Sequence, residues 1–227
     1  MANQTTVVLV HGAWADGSSW AQVIESLAHA GIKSIAAPLP LTTLEDDVKS
    51  LTRSLARIDG QVLLVAHAYG GAVIGAIESD KVTGLVYIAA LAPDEGETVA
   101  DVFYRAPPHA LAPKLAPDAD GWIWLPEDAF ASAFAQNASV QRLQVLAAVQ
   151  RPIAPPCITV PVGRPLWKSK PSWYLIAEDD RMIPKDTQVF MANRMGATQR
   201  LAAVDHTPSV SAPDEVTGVI VEALRSL

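Results

Sequence analysis

Cysteine is almost absent: Cys157 is the one thiol in 227 residues. That excludes an internal disulfide and any zinc centre built from several cysteinates. No apolar run approaches the roughly 18 residues of a membrane span. The opening stretch Met1 to Thr6 lacks the basic and apolar regions of a secretory leader. Positive charge is in deficit, with 17 Lys and Arg against 24 Asp and Glu and a net charge of −7. Such a chain is a poor partner for nucleic acid or for an anionic membrane. Low hydrophobicity is missing too: half of the residues are hydrophobic, which excludes intrinsic disorder. The expectation is one soluble, cytoplasmic domain, as a monomer or a homodimer. The sequons at Asn3 and Asn137 carry no weight in that compartment.

What is present is an alternation of strands and helices. Short β-branched runs predict strands at Thr6 to Val10, Ile32 to Ala36, Val62 to Ala66, Val82 to Ala89, Trp173 to Ala177 and Arg200 to Val204. Helices are expected over Ser19 to Ala30 behind a serine cap, and from Tyr69-Gly70-Gly71 to Ser79. Others are expected over Lys185 to Met195 and Ala212 to Leu224. Leu44, Val48, Leu51, Leu55 and Ile58 recur at helical spacing behind a Thr42/Glu45 capping box. The pattern implies a mostly parallel sheet of about six strands with helices on both faces. Residues 1–92 and 171–227 form this core. Between them, residues 93–170 read as a cap over the sheet, with ten of the 17 prolines lying between Pro107 and Pro165. Two cap helices are expected, near Asp128 to Ala135 and Val140 to Ala148.

Four strand ends carry chemistry. The third runs through Ala66-His67-Ala68-Tyr69-Gly70-Gly71 straight into a helix, which is the pattern of a nucleophile elbow. Small residues two positions either side allow the tight turn, and Ala66 and Gly70 supply them. The exposed position is Ala68, where a serine is expected. The first strand ends in Val10-His11-Gly12-Ala13-Trp14, so the N–H groups of Ala13 and Tyr69 are candidates for an oxyanion hole. Trp14 and Tyr69 should line the pocket and His11 should border it. The fifth strand ends in Glu178-Asp179-Asp180, with Ile183-Pro184 following, and the sixth in Asp205-His206. Nucleophile position, acid and histidine then follow the α/β-hydrolase chain order.

These segments resemble the α/β-hydrolase superfamily, in the branch of small esterases that includes bacterial pyrethroid-hydrolase-like proteins and plant methylesterase-like enzymes. Val7 to Trp20 resemble its oxyanion segment and Leu63 to Ile74 its elbow. Asp180 with Ile183-Pro184 resembles its acid loop, and His206 with Pro213 its histidine loop. The resemblance spans essentially the whole chain and is weakest in the cap. It implies hydrolysis of a hydrophobic or aromatic small-molecule ester by a Ser-His-Asp triad, with no cofactor and no metal.

The departure is Ala68, whose methyl cannot attack a carbonyl. The chain as it stands is therefore expected to be nearly inactive. An engineered serine-to-alanine change is preferred over natural loss, because acid, base and oxyanion positions are all kept. Other readings are amide, lactone or C–C hydrolysis, a hydroxynitrile-lyase type of proton transfer, and a non-catalytic ligand-binding homologue. Glu178 and Asp179 compete with Asp180 for the acid, as do Asp94 and Glu95 after the fourth strand. His67 and His11 read as loop-holding groups, and His29 and His109 have no assigned role. Cys157 reads as an ordinary thiol. The cap aromatics Phe103, Tyr104, Trp122, Trp124, Phe130, Phe134 and Trp167 are divided between pocket and packing, and Trp20 is expected in the core.

Overall fold

The computed structural model describes residues 5–227. The leader reading and the Asn3 sequon fall wholly or partly on residues outside that range. The chain begins with β1 (Thr6–Val10). A 3-10 turn (Gly17–Trp20) leads into α1 (Ala21–His29). Asp16 caps that turn by accepting from the Ser18 N–H, in place of the expected serine. Next come β2 (Ser34–Ala37) and α2 (Leu44–Ala56). Thr43 rather than Thr42 is the N-cap of α2, accepting from the Asp46 N–H. Thr42 instead donates its hydroxyl to the Asp46 carboxylate. Then follow β3 (Val62–His67), α3 (Gly70–Gly75, shorter than expected) and β4 (Val82–Ile88).

Residues 89–171 add no strand to the sheet. They hold α4 (Val99–Phe103), α5 (Glu127–Ala129) and α6 (Val140–Val149). The helix expected near residue 130 is largely a π turn, Phe130–Phe134, whose wider winding no 3.6-residue spacing announces. The chain closes with β5 (Ser172–Ala177), α7 (Lys185–Arg194), β6 (Thr198–Ala202), α8 (Pro208–Ser211) and α9 (Pro213–Ser226). Strand β6 starts and ends two residues before the expected span. The Pro213 ring separates α8 from α9, because it has no N–H to continue the ladder.

The sheet order is β2-β1-β3-β4-β5-β6, and every neighbouring pair is parallel. Alternate side chains explain the layers. Val7, Leu9, Leu63 and Val65 face α1 and α9 in one buried cluster, with Trp20 among them. Val8, Val10, Leu64 and Ala66 face the other way, toward α2, α3 and the segment after β4. Fully burying one such aliphatic side chain contributes about 1.5–3 kcal/mol. The sheet is thus a rigid plate, and the loops leaving the carboxyl ends of its strands share one edge.

Candidate active site

Among the described residues, four non-glycine positions have left-handed backbones, and one follows each of the first four strands. They are Trp14 (φ 58°), Leu41 (φ 62°), Ala68 (φ 48°) and Ala89 (φ 43°). Such residues concentrate where the surrounding structure dictates the backbone. At Ala68 the chain turns from β3 into α3 with no spacer. Two glycines make room for this turn. A Cβ on Gly12 would stand 2.8 Å from the Ala68 Cβ, and one on Gly70 would stand 2.8 Å from the His11 carbonyl oxygen. The loop after β1 therefore lies against the elbow. Among the described residues, no acceptor is paired with the backbone N–H of Ala13 or of Tyr69.

Asp180, after β5, is buried. Its Oδ1 accepts from the N–H groups of Met182 (2.7 Å) and Ile183 (2.8 Å). Its Oδ2 accepts from Gln188 Nε2 (2.9 Å) and from His206 Nδ1 (2.8 Å). The proton therefore sits on Nδ1 of His206, and Nε2 is left with a lone pair. The other acid candidates are engaged elsewhere. Glu178 pairs with Lys185 and Asp94 with Lys168, each at 2.5 Å. Asp179 and Glu95 are exposed.

Ala68, Tyr69, Ala13, Trp14 and His206 all line one cavity of about 60 Å³. Apart from His206 and two tyrosines, its lining side chains are apolar. Of the cap aromatics, Phe103 and Tyr104 reach it. Phe134 stands behind the histidine, its ring 5.3 Å from that of His206. Phe130 and Trp167 are packing residues, and Trp124 is largely exposed.

His11 does not line the cavity. Its Nε2 accepts from the Leu39 N–H (3.1 Å) and its Nδ1 donates to the Gly12 carbonyl (2.9 Å). Burial lowers its pKa to about 4, so it is a neutral clamp between two loops. His67 donates from Nε2 to the carbonyl of His206 (2.7 Å). Burial, reinforced by the neighbouring His206, lowers its pKa well below the usual histidine value.

Several supporting residues escape a motif reading. Gln188 holds Asp180 from α7. Asp205, fully buried, accepts from Asn137 N–H (2.8 Å), Thr207 N–H (3.1 Å) and Ser211 Oγ (2.6 Å). Asp47 on α2 accepts from the Tyr69 hydroxyl at 2.6 Å. Only Asp47 left a trace in the sequence. It lies three residues after Leu44 and four before Leu51, a carboxylate on an apolar stripe.

The alpha/beta hydrolase family profile matches residues 7–219. Methylesterase 7 of Arabidopsis thaliana is 26% identical over 97% of this chain and 96% of its own length. A pyrethroid hydrolase of Sphingobium wenxiniae is 32% identical over 47% of this chain and 45% of its own. Among solved structures, tomato methylketone synthase I, a histidine-to-alanine variant complexed with beta-ketoheptanoate, superposes with a TM-score of 0.83. It is 15% identical and covers 98% of each chain.

Proposed function

Because the chain belongs to the alpha/beta hydrolase family, whose curated relatives here are esterases, we propose that its cavity is a carboxylic-ester site for small hydrophobic or aromatic esters. One observation carries this reading. The His206–Asp180 pair and the two unused amides of Ala13 and Tyr69 converge with Ala68 on a single apolar cavity.

With a serine at position 68, His206 Nε2 takes the hydroxyl proton as the oxygen attacks the ester carbonyl. The oxyanion is held by the Ala13 and Tyr69 N–H groups, each contributing roughly 2.7–4 kcal/mol to the transition state. His206 then returns the proton to the leaving alcohol. Asp180 keeps the imidazole in its Nδ1–H tautomer and stabilises the imidazolium. The segment 93–170 is the cap that excludes water. With Ala68 there is no acyl-enzyme. What remains is water attack helped by the oxyanion donors, His206 and binding, on the order of 10³–10⁴ over water.

The test is hydrolysis of short and aromatic p-nitrophenyl esters by Ala68→Ser beside the chain itself. A gain of about 10³-fold or more is expected. A folded Ala68→Ser protein with no gain would sink the ester reading.

A second reading is favoured by Ala68 itself. A site with its dyad intact and no nucleophile suits proton transfer to a bound carbonyl compound. The methylketone synthase bound to a β-keto acid shares this fold. His206 Nε2 would take the carboxyl proton of such an acid as carbon dioxide leaves, and return that same proton to the resulting enolate carbon to make the ketone. Carbon dioxide release by the chain as it stands, abolished in His206→Ala, supports this reading. No release excludes it.

A further inference from the structure

Asp47 carries no part of the chemistry above, yet it is fully buried and has no cationic partner among the described residues. It lies in the first turn of α2. Three donors from three parts of the chain converge on its carboxylate. Oδ1 accepts from the Leu41 N–H at 2.8 Å. Oδ2 accepts from the Tyr69 hydroxyl at 2.6 Å and, more loosely, from Cys157 Sγ at 3.7 Å. Leu41 has a left-handed backbone and takes the Ala154 N–H on its carbonyl, so the cap is joined at this point a second time. Ile153 and Ile158, on either side of Cys157, line the cavity.

A buried anion without a counter-ion is expensive unless its acceptor sites are filled, so a carboxylate held here points to a requirement. The requirement is geometric. Tyr69 is one residue beyond Ala68, and its backbone N–H is one of the two free amides at the cavity. Anchoring the far end of the Tyr69 side chain fixes the rotation of that peptide unit. Only an all-acceptor group suits three donors. An asparagine would set its NH₂ against one of them.

We propose that Asp47 is a positioning residue: through the Tyr69 hydroxyl it aims the Tyr69 N–H into the cavity, and through Cys157 and Leu41 it fixes the cap wall against that donor. This rests on the oxyanion role given to Tyr69. Burial also raises the Asp47 pKa against the pull of Tyr69, Leu41 and Cys157, consistent with a group confined for its geometry.

The experiment has two arms. In the Ala68→Ser background, Asp47→Asn and Tyr69→Phe should each lower kcat for p-nitrophenyl butyrate about tenfold, with KM within about twofold. The double variant should be no slower than either single, because both remove one link. Rates are taken per active site by titration with a p-nitrophenyl phosphonate that phosphonylates the serine and releases p-nitrophenol, so a loss of folded protein does not imitate the effect. Unchanged kcat per site, or additive losses, would overturn the proposal. The second arm uses the chain as it stands and needs no turnover. Asp47→Asn should shift the Tyr69 amide resonance and speed its hydrogen exchange, while β1 and β3 amides hold. An unmoved Tyr69 amide overturns the proposal even where esters are hydrolysed. A moved amide with no hydrolysis by Ala68→Ser upholds the coupling and removes the ester reading instead.

Discussion

His11 and His67 stand beside the cavity as neutral imidazoles, and their neutrality makes the fold sensitive to acid. The His11 pKa falls from 6.5 to about 4 on folding, chiefly because burial disfavours the cation. Unfolded chain therefore binds the proton first. The stability that neutral His11 lends is complete above pH 6.5 and is lost as pH falls toward 4. A shift of this size corresponds to about 3 kcal/mol. His67 shifts the same way and adds to the loss. Urea denaturation at pH 7 and at pH 4.5 should show a clear drop, and His11→Gln should flatten it. An equal slope in both proteins would refute this account. At the same scale, His206 and Asp180 could be placed from sequence because each follows a strand end at a recognisable offset. The clamp role of His11 came from the chemistry of loops, but its distance from the cavity needed the path of Leu39. Asp47 was visible only as a charge on an apolar stripe, since two of its three partners lie 22 and 110 residues away.

At the scale of elements, the π turn Phe130–Phe134 is tied to both loops that carry Asp180 and His206. Thr207 Oγ1 donates to the Phe134 carbonyl (2.6 Å) and Arg181 to the Ser132 carbonyl (2.7 Å). Just beyond, Gln136 reaches the Asp179 carbonyl (2.8 Å) and the Asn137 N–H reaches Asp205 (2.8 Å). Asp205 is the centre of this seam. Asp205→Ala should leave the Asn137 and Thr207 N–H groups without an acceptor and cost about 3 kcal/mol, measured by urea denaturation. It should also slow hydrolysis in the Ala68→Ser background, because the neighbouring His206 loses its support. A loss within about 0.5 kcal/mol, as at an ordinary surface site, would contradict this. Strands β1, β3, β4 and β5 were legible because buried parallel strands are short apolar runs bounded by turns, whereas the exposed β6 was read two residues late. The π turn and the cap bridges Pro117–Ile123 and Ile123–Ile153 were not, because proline-rich chain has no period to read. The helix starts slipped by a few residues wherever a neighbouring Asp or Thr took over the cap.

At the scale of the molecule, the core strands come from both ends of the chain, with β1 to β4 before residues 89–171 and β5 and β6 after them. That intervening segment is pinned to the loop after β1 as well. Trp14 donates its indole N–H to the Ile123 carbonyl (2.9 Å) and its backbone N–H to the Arg151 carbonyl (2.9 Å). The stretch around Tyr104 to Lys114 is exposed by contrast. Brief trypsin treatment should cut first at Arg105 or Lys114 and leave two fragments that co-elute on gel filtration. A first cut within residues 127–150 would show that the seam is weaker than its hydrogen bonds imply.

The left-handed turn at Ala68 has a last consequence, one of descent. The backbone there is bent whether or not a hydroxyl rides on it, and its cost of roughly 1–2 kcal/mol is borne by the sheet and by α3. Nothing in the fold has to change for an oxygen to be added. Alanine and serine codons can differ by a single base, so on the ester reading one substitution separates a chain without a nucleophile from a chain with one. A lineage carrying this elbow can cross that line in either direction without passing through an unfolded protein.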